Sequence, residues 1–268
     1  MFNLIRLFLK QDLKNNYFSK WYVLTDIIAL ITSLFIYWLT SKALSPHLSQ
    51  NLNWYQTDYF TYVVVGEAFM LIPLQALNAG ARSVKGLIMD NILETIICLP
   101  GAVSTIIQSM LFSSLARDFV YMWSMLLISK LFLGLNIEWH TIVYAHFTLI
   151  IFLPGFIGLG LISSSIVLYF GRGQGALNHF SAIISVLSGV YFPITIFEEV
   201  RLDSFFDIFP FTIYLESIRK INNHQNLEFH IFIYAIIFGL IGYLSGLCAI
   251  KKALNLLRKK GLHIFTFY

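Results

Sequence analysis

Residues 142–170, IVYAHFTLIIFLPGFIGLGLISSSIVLYF, decide the fold. The stretch is apolar along its length and is interrupted only by Pro154-Gly155. About 20 apolar residues suffice for a helix to cross a bilayer, so a spanning helix with length to spare is predicted. Pro154 predicts a kink, because proline has no N–H to donate and crowds the preceding turn.

The same reading applied outward gives further spans at 23–41, 61–79, 104–137, 177–197 and 231–250, six in all. Composition agrees with them. Of 268 residues, 57% are hydrophobic and 12% charged, whereas soluble domains carry about 25% charged residues. Mean hydropathy is +0.73. Such a chain cannot cover a water-facing surface, and it is too apolar for disorder. The fold class is therefore an all-α integral membrane protein of one domain, residues 1–268. The net charge of +4 does not point to nucleic acid. The basic residues are dispersed and cluster only at the two ends, as the loops of a membrane protein do.

Residues 1–20 precede the first span and are two-faced. Phe2, Ile5, Leu9, Leu13 and Tyr17 recur at spacings of three and four, beside a polar stripe of Asn3, Arg6, Lys10 and Lys14. This predicts an amphipathic helix lying in the membrane interface. With six spans and both termini cytoplasmic, 13 of the 18 Lys and Arg residues fall inside, including Arg82, Lys85, Arg117, Arg172 and the tail 251–268. Lys42, Lys130, Arg201, Arg219 and Lys220 fall outside or near the outer surface. Counting residues 95–116 as a seventh span would send the basic C-terminus outside, against the positive-inside rule. Arg117-Asp118 then marks the cytoplasmic end of the third span. Cys98 and Cys248 share no metal or disulfide spacing and are expected as free, buried thiols. No cleavable signal sequence is evident.

Three features call for a function. The segment between spans two and three is helix-like without spanning. Within the helix expected near residues 85–97, Asp90 and Glu94 sit at i and i+4, a mildly unfavourable pair that basic groups on a partner would offset. Residues 192–219 are aromatic and contain two prolines, which predicts a re-entrant helical hairpin before span six. Two acids, Asp26 and Glu67, lie within spans. Asp26 is within snorkelling reach of water, while Glu67 lies about two turns deep, where an ionisable group suggests a pathway. His140 and His146 have no partner at metal spacing, so no metal site is expected. Gly158, Gly160, Ser163 and Ser164 suit close helix approach, within a subunit or between subunits.

Six motifs then fall in order on this map. They are Asp58-Tyr59-Phe60-Thr61-Tyr62-Val63-Val64-Val65-Gly66, Asp90-Asn91-Ile92-Leu93-Glu94-Thr95 with Leu99-Pro100, and Gly158-Leu159-Gly160-Leu161-Ile162-Ser163-Ser164. Arg172-Gly173, Ser188-Gly189-Val190-Tyr191-Phe192-Pro193, and Pro210-Phe211-Thr212 with Arg219 complete the set. Together they resemble the membrane subunits of ABC-2 type exporters, also called type V ABC transporters, over nearly the whole chain. Asn91-Ile92 stands where the family has Gly-Thr, Leu99 where it has Thr, and Phe197-Glu198 where it often has Leu-Pro.

The resemblance implies a permease that forms the translocation pathway by alternating access, for a lipid, lipid-linked glycan or amphipathic drug. It implies a homodimer of membrane subunits with two copies of an ATP-binding cassette subunit, in a prokaryotic cytoplasmic membrane. This chain has no GxxxxGK[ST] phosphate loop, so ATP and Mg are expected on the partner, with no cofactor and no catalytic site here. Lys85, Asp90, Asn91, Ile92, Leu93 and Glu94 are the expected coupling helix toward that ATPase. Tyr191, Phe192, Pro193, Phe205, Phe206 and Phe209 are the expected outer gate, with Glu67 in the pathway. The alternative is an ion-coupled secondary transporter using Glu67. A membrane-embedded transferase would need clustered Asp, Arg or His at one membrane face, and the sequence offers none.

Overall fold

A computed structural model describes residues 2–12, 20–52, 55, 57–99, 101–194, 206, 208–223 and 228–260. Regular structure among them is helical throughout. The first helix, α1 (Phe2–Asp12), lays Leu4, Ile5, Phe8 and Leu9 half-buried against the protein and turns Asn3, Arg6 and Lys10 outward. It packs on α5 (Ala102–Phe132). Leu13, Lys14 and Tyr17 of the expected interface helix lie outside the described residues.

Among the described residues five helices are long and apolar enough to cross a membrane, within Val23–Leu44, Tyr59–Met89, Ala102–Phe132, Trp139–Phe170 and Phe229–Lys259. The first belongs to α2 (Lys20–Leu52). Leu30 and Leu34 are buried, while Leu24, Ile27, Ile28, Ile31, Phe35 and Leu39 are exposed. A contiguous apolar face of that kind is a liability in water and costs nothing in lipid.

At the centre is α3 (Tyr59–Met89). Its N-cap, Asp58, accepts from the Thr61 backbone N–H at 3.3 Å and the Thr61 hydroxyl at 2.6 Å, which satisfies donors that the first helical turn leaves open. Around α3 stand α2, α5, α6 (Trp139–Phe170) and α7 (Gln174–Leu187). The expected kink position, Pro154, lies inside α6, which continues through it.

The most extensive helix–helix contact joins α6 to the last helix, α9 (Phe229–Lys260). Gly155 faces Phe238, Gly242 faces Gly155, and Gly158 faces Gly242 and Gly246. Positions advance together along both chains, so α6 and α9 run parallel. Gly80 of α3 faces Gly160 and Ser164 in the same sense, so α3 is parallel to both. The small residues let these three backbones approach closely.

Two segments differ from the sequence expectation. Residues 177–197, expected as span five, form a helix only to Leu187. The 14 residues of α7 make about 21 Å, short of the roughly 30 Å hydrocarbon core. The helix stops because Gly189 takes a positive φ of 77°, a turn conformation that glycine adopts without a side-chain clash. Within the stretch expected as a re-entrant hairpin, α8 (Pro210–Asn222) starts on proline and packs on α6 and α3. Phe197, Glu198 and Phe205 lie outside the described residues.

The second difference is at the expected coupling helix. The run near residues 85–97 is not one helix. The chain leaves α3 at Asp90, turns through Asn91 and resumes as α4 (Ile92–Ile96). The i, i+4 relation of Asp90 and Glu94 therefore does not hold. Asn91 has φ 56°, ψ 18°, the left-handed region that asparagine tolerates better than other side chains. Arg117-Asp118, expected at the cytoplasmic end of the third span, stands within α5, which begins at Ala102. The preceding turns of α5 extend alongside the end of α3.

Candidate functional site

The end of the molecule that holds the expected coupling residues is built from the ends of α3, α4, α6 and α7. Leu93, 1% exposed, inserts into the core as the anchor of α4. Asp90, Asn91, Ile92 and Glu94 remain exposed around it. The last helix also reaches this end, where Arg258 Nε donates to the Ile97 carbonyl at 3.2 Å. A cavity of ≈ 760 Å³ opens here between Lys85 on α3, Asn91, Leu93 and Glu94 at α4, Arg172 in the α6–α7 turn, and Gln174. Of the six expected coupling residues, four line this cavity; Asp90 and Ile92 are exposed beside it.

At the opposite end, polar groups join elements remote in sequence. The Tyr191 hydroxyl donates to Glu67 Oε2 at 3.1 Å, and Tyr37 of α2 packs partly buried in the same core. This carboxylate therefore ties α3 to the turn after α7. Asp26, the other acid singled out from the sequence, is half-buried on α2.

A second hub was not visible as such in the sequence. Arg219, expected near the outer surface, is 4% exposed. It lies on the inward stripe of α8, four residues after buried Leu215 and eight after buried Phe211. Its Nη2 donates to the Gly189 carbonyl at 2.8 Å and its Nη1 to Glu216 Oε1 at 2.9 Å. The guanidinium stacks over the Tyr62 ring at 3.6 Å, and the Tyr62 hydroxyl donates to the same Gly189 carbonyl at 2.8 Å. Tyr55 adds a hydrogen bond to Glu216 at 3.3 Å. A buried charge needs such pairing to offset its desolvation. Gly66 makes the approach possible, since a methyl there would stand 3.0 Å from the Val190 carbonyl and 3.1 Å from Arg219 Nη2. The signals were Gly66, Gly189 and Arg219 in the motifs, but no spacing in the chain shows that they meet.

Of the expected gate residues, Phe192 is exposed, Tyr191 half-buried and Pro193 buried. Phe206 is buried, and Phe209 stands 5.4 Å from Phe211. Behind them Phe211 and Tyr214 pack on Phe156, at 5.2 and 5.4 Å. Phe205 lies outside the described residues.

Gly158 faces α9, Gly160 faces Ala76, and Ser163 donates to the Leu77 carbonyl at 2.5 Å. Ser164 turns its hydroxyl back to the Gly160 carbonyl at 2.8 Å. All four lie at contacts within this one chain. His146 packs among Phe69, Phe119 and Trp123, with ring separations of 5.1–5.6 Å. His140 pairs with Glu138 at 2.8 Å. Among the described residues no three His, Cys, Asp or Glu side chains gather as a metal site. Cys98 and Cys248 are free, but both are exposed and not buried as expected. Cys98 sits in the turn after α4, and Cys248 follows the exposed Leu244 by one helical turn on α9.

Residues 3–222 match the ABC-2 type transporter family. The chain belongs to that family. A comparison with curated protein sequences found no match. As an ABC-2 type transporter with five apolar helices of spanning length, it is a multi-pass membrane permease. Within the matched region lie both polar hubs and the six residues expected to couple. The last helix of this ABC-2 chain, from Phe229 onward, lies beyond it.

Proposed function

We propose that this chain is the pathway-forming permease subunit of an ATP-driven exporter, moving a lipid, a lipid-linked glycan or an amphipathic drug by alternating access. The observation that carries this reading is the construction of the coupling end. A short helix anchored by Leu93 presents exposed Asp90 and Glu94 beside a ≈ 760 Å³ cavity. The same end is linked to the core helices through α3, α6 and α9. Force applied at α4 has a rigid path into the membrane, which is what an ATPase acting in trans requires.

ATP and Mg belong to that ATPase, two copies of which serve a homodimer of this chain. Parallel packing of α6 and α9 supports six crossings with both termini on the cytoplasmic side. The chain ends α6 at the coupling end and begins α9 at the other, so residues 171–228 make one further crossing. Lys85, Arg172 and Arg258 at the coupling end agree with the positive-inside rule. Lys85 and Arg172 also suit the phosphate of a lipid-linked substrate entering there. Phe192, Pro193, Phe205, Phe206 and Phe209, with the Glu67–Tyr191 link, form the outer gate. Family membership favours ATP-driven transport over ion coupling through Glu67.

The test is Glu94→Arg in proteoliposomes containing the chain and its co-purifying ATPase. ATP hydrolysis is expected to continue while export falls to background. Export at the unmodified rate overturns the coupling assignment.

A further inference from the structure

The Arg219 hub holds one donor that its own partners do not use. Nη1 is given to Glu216 and Nη2 to the Gly189 carbonyl, whereas the enclosed Nε meets no hydrogen-bond partner among the described residues. Arg219 is 4% exposed, so bulk solvent does not serve it. Leaving a buried donor of a charged group unmet costs more than an ordinary hydrogen bond returns. A second atom in the same condition is Thr57 Oγ1, in the bend ahead of α3.

The two residues line one small cleft. Thr57 stands on one side, Thr61 and Tyr62 on the first turns of α3 form its floor, and Arg219 and Asn222 close it from α8. Arg219 and Asn222 are three residues apart and therefore share a face of that helix. The stripe that buries the guanidinium thus carries an amide to the same cleft. Two helix faces and the bend between α2 and α3 create this space, far along α3 from the coupling cavity.

Size and chemistry select the occupant. The cleft measures ≈ 10 Å³, and about 10–15 Å³ is the room that a single water needs. A carboxylate, a phosphate or a sugar hydroxyl with its carbon is too large. Charge agrees, because Arg219 and Glu216 pair with each other at 2.9 Å and leave no surplus to hold an ion. Nε–H can only donate, while the threonine hydroxyl both donates and accepts. One water accepts from the first and donates to the second at once. Asn222 offers a further polar neighbour, within the two to four or so that hold a buried water in place.

We propose that this cleft binds one water molecule, which accepts from Arg219 Nε and donates to Thr57 Oγ1. The water fixes the guanidinium from its third side, with Nη1 and Nη2 aimed at Glu216 and Gly189. Thr57 is then a positioning residue for the hub that acts without touching it, and the stretch ahead of α3 is fastened to α8.

The experiment uses the full chain. Crystals grown from a lipid mesophase, at a resolution that shows ordered waters, are expected to hold a density peak within hydrogen-bond reach of both atoms. In detergent, Thr57→Val keeps the shape and removes the hydroxyl. It is expected to shift the unfolding equilibrium by roughly tenfold, equivalent to about 1.4 kcal/mol. Thr57→Ser, which restores the hydroxyl, is expected to return the unmodified denaturant midpoint. In an Arg219→Lys background, where no Nε remains, Thr57→Val is expected to lose most of its effect, as a bridged pair does in a double-mutant cycle. Exchange of chloride for gluconate is expected to leave every midpoint in place. The absence of the peak, an unmodified midpoint for Thr57→Val, or an equal cost of that change in both backgrounds overturns the proposal. A midpoint that follows chloride overturns the water in favour of an anion. Should Arg219→Lys fail to fold, the density and the contrast between Thr57→Val and Thr57→Ser decide.

Discussion

Asn91 shows how one residue sets the geometry of the coupling end. Its left-handed backbone divides α3 from α4, so that α4 turns back with Leu93 in the core. The family pattern has glycine at this place, and asparagine is the nearest substitute, with a short polar side chain that tolerates φ above zero. A β-branched residue does not. Asn91→Val is expected to destabilise the protein by about 1–2 kcal/mol, while Asn91→Gly stays within about half of that. Denaturant unfolding of the two variants in detergent checks the order. The apolar and polar pattern of 85–97 predicts one helix, whereas the chain forms two there. Residue type alone does not tell a tolerated turn at Asn91 from a helical asparagine; the backbone angle does.

Helix faces were more legible than helix ends. The apolar and polar stripes of α1 lie as the spacing of Ile5, Leu9, Arg6 and Lys10 predicts, because periodicity reports directly on which side is buried. The end of α7 at Ser188 was missed, since hydropathy over 177–197 is continuous and a positive φ at Gly189 leaves no trace in it. Arg219 was missed for a related reason. Its partners come from Tyr62, Gly189 and Glu216, on three separate stretches of chain. Arg219→Gln leaves half-buried Glu216 without its counter-ion and the buried Gly189 carbonyl short of a donor, and a loss of about 1–3 kcal/mol is expected. Tyr62→Phe, which removes only one hydroxyl, is expected to cost about 1 kcal/mol. A denaturant midpoint for each separates a charge hub from ordinary packing. The glycines of α6 make a further pair. A methyl at Gly158 overlaps the Gly242 backbone, whereas a methyl at Gly86 meets nothing within 4 Å. Gly158→Ala is expected to lower stability by about 1–3 kcal/mol through overpacking. Gly86→Ala, inside α3, is expected to raise it by about 0.5–1 kcal/mol. Thermal inactivation of both variants in the same detergent tests the contrast.

At the scale of the whole molecule, three parallel helices, α3, α6 and α9, carry the structure from the Tyr55–Tyr62–Arg219 end to the coupling end. The apolar runs that make them were plain in the sequence, but their relative direction was not, because it rests on which glycine meets which across helices. The proposed coupling end is packed on the core through α3, α6 and α9, while α2, whose Ile27, Ile31 and Phe35 face outward, is held by fewer contacts. The closure of α6 by α9 has one further consequence, in time and not in space. During synthesis α6 enters the membrane well before Phe229 is made, so Gly155 and Gly158 wait with their backbone uncovered until the last 32 residues of helix arrive. Every nascent chain passes through that interval, and the insertion machinery must keep this groove from pairing with another helix until α9 is delivered to it.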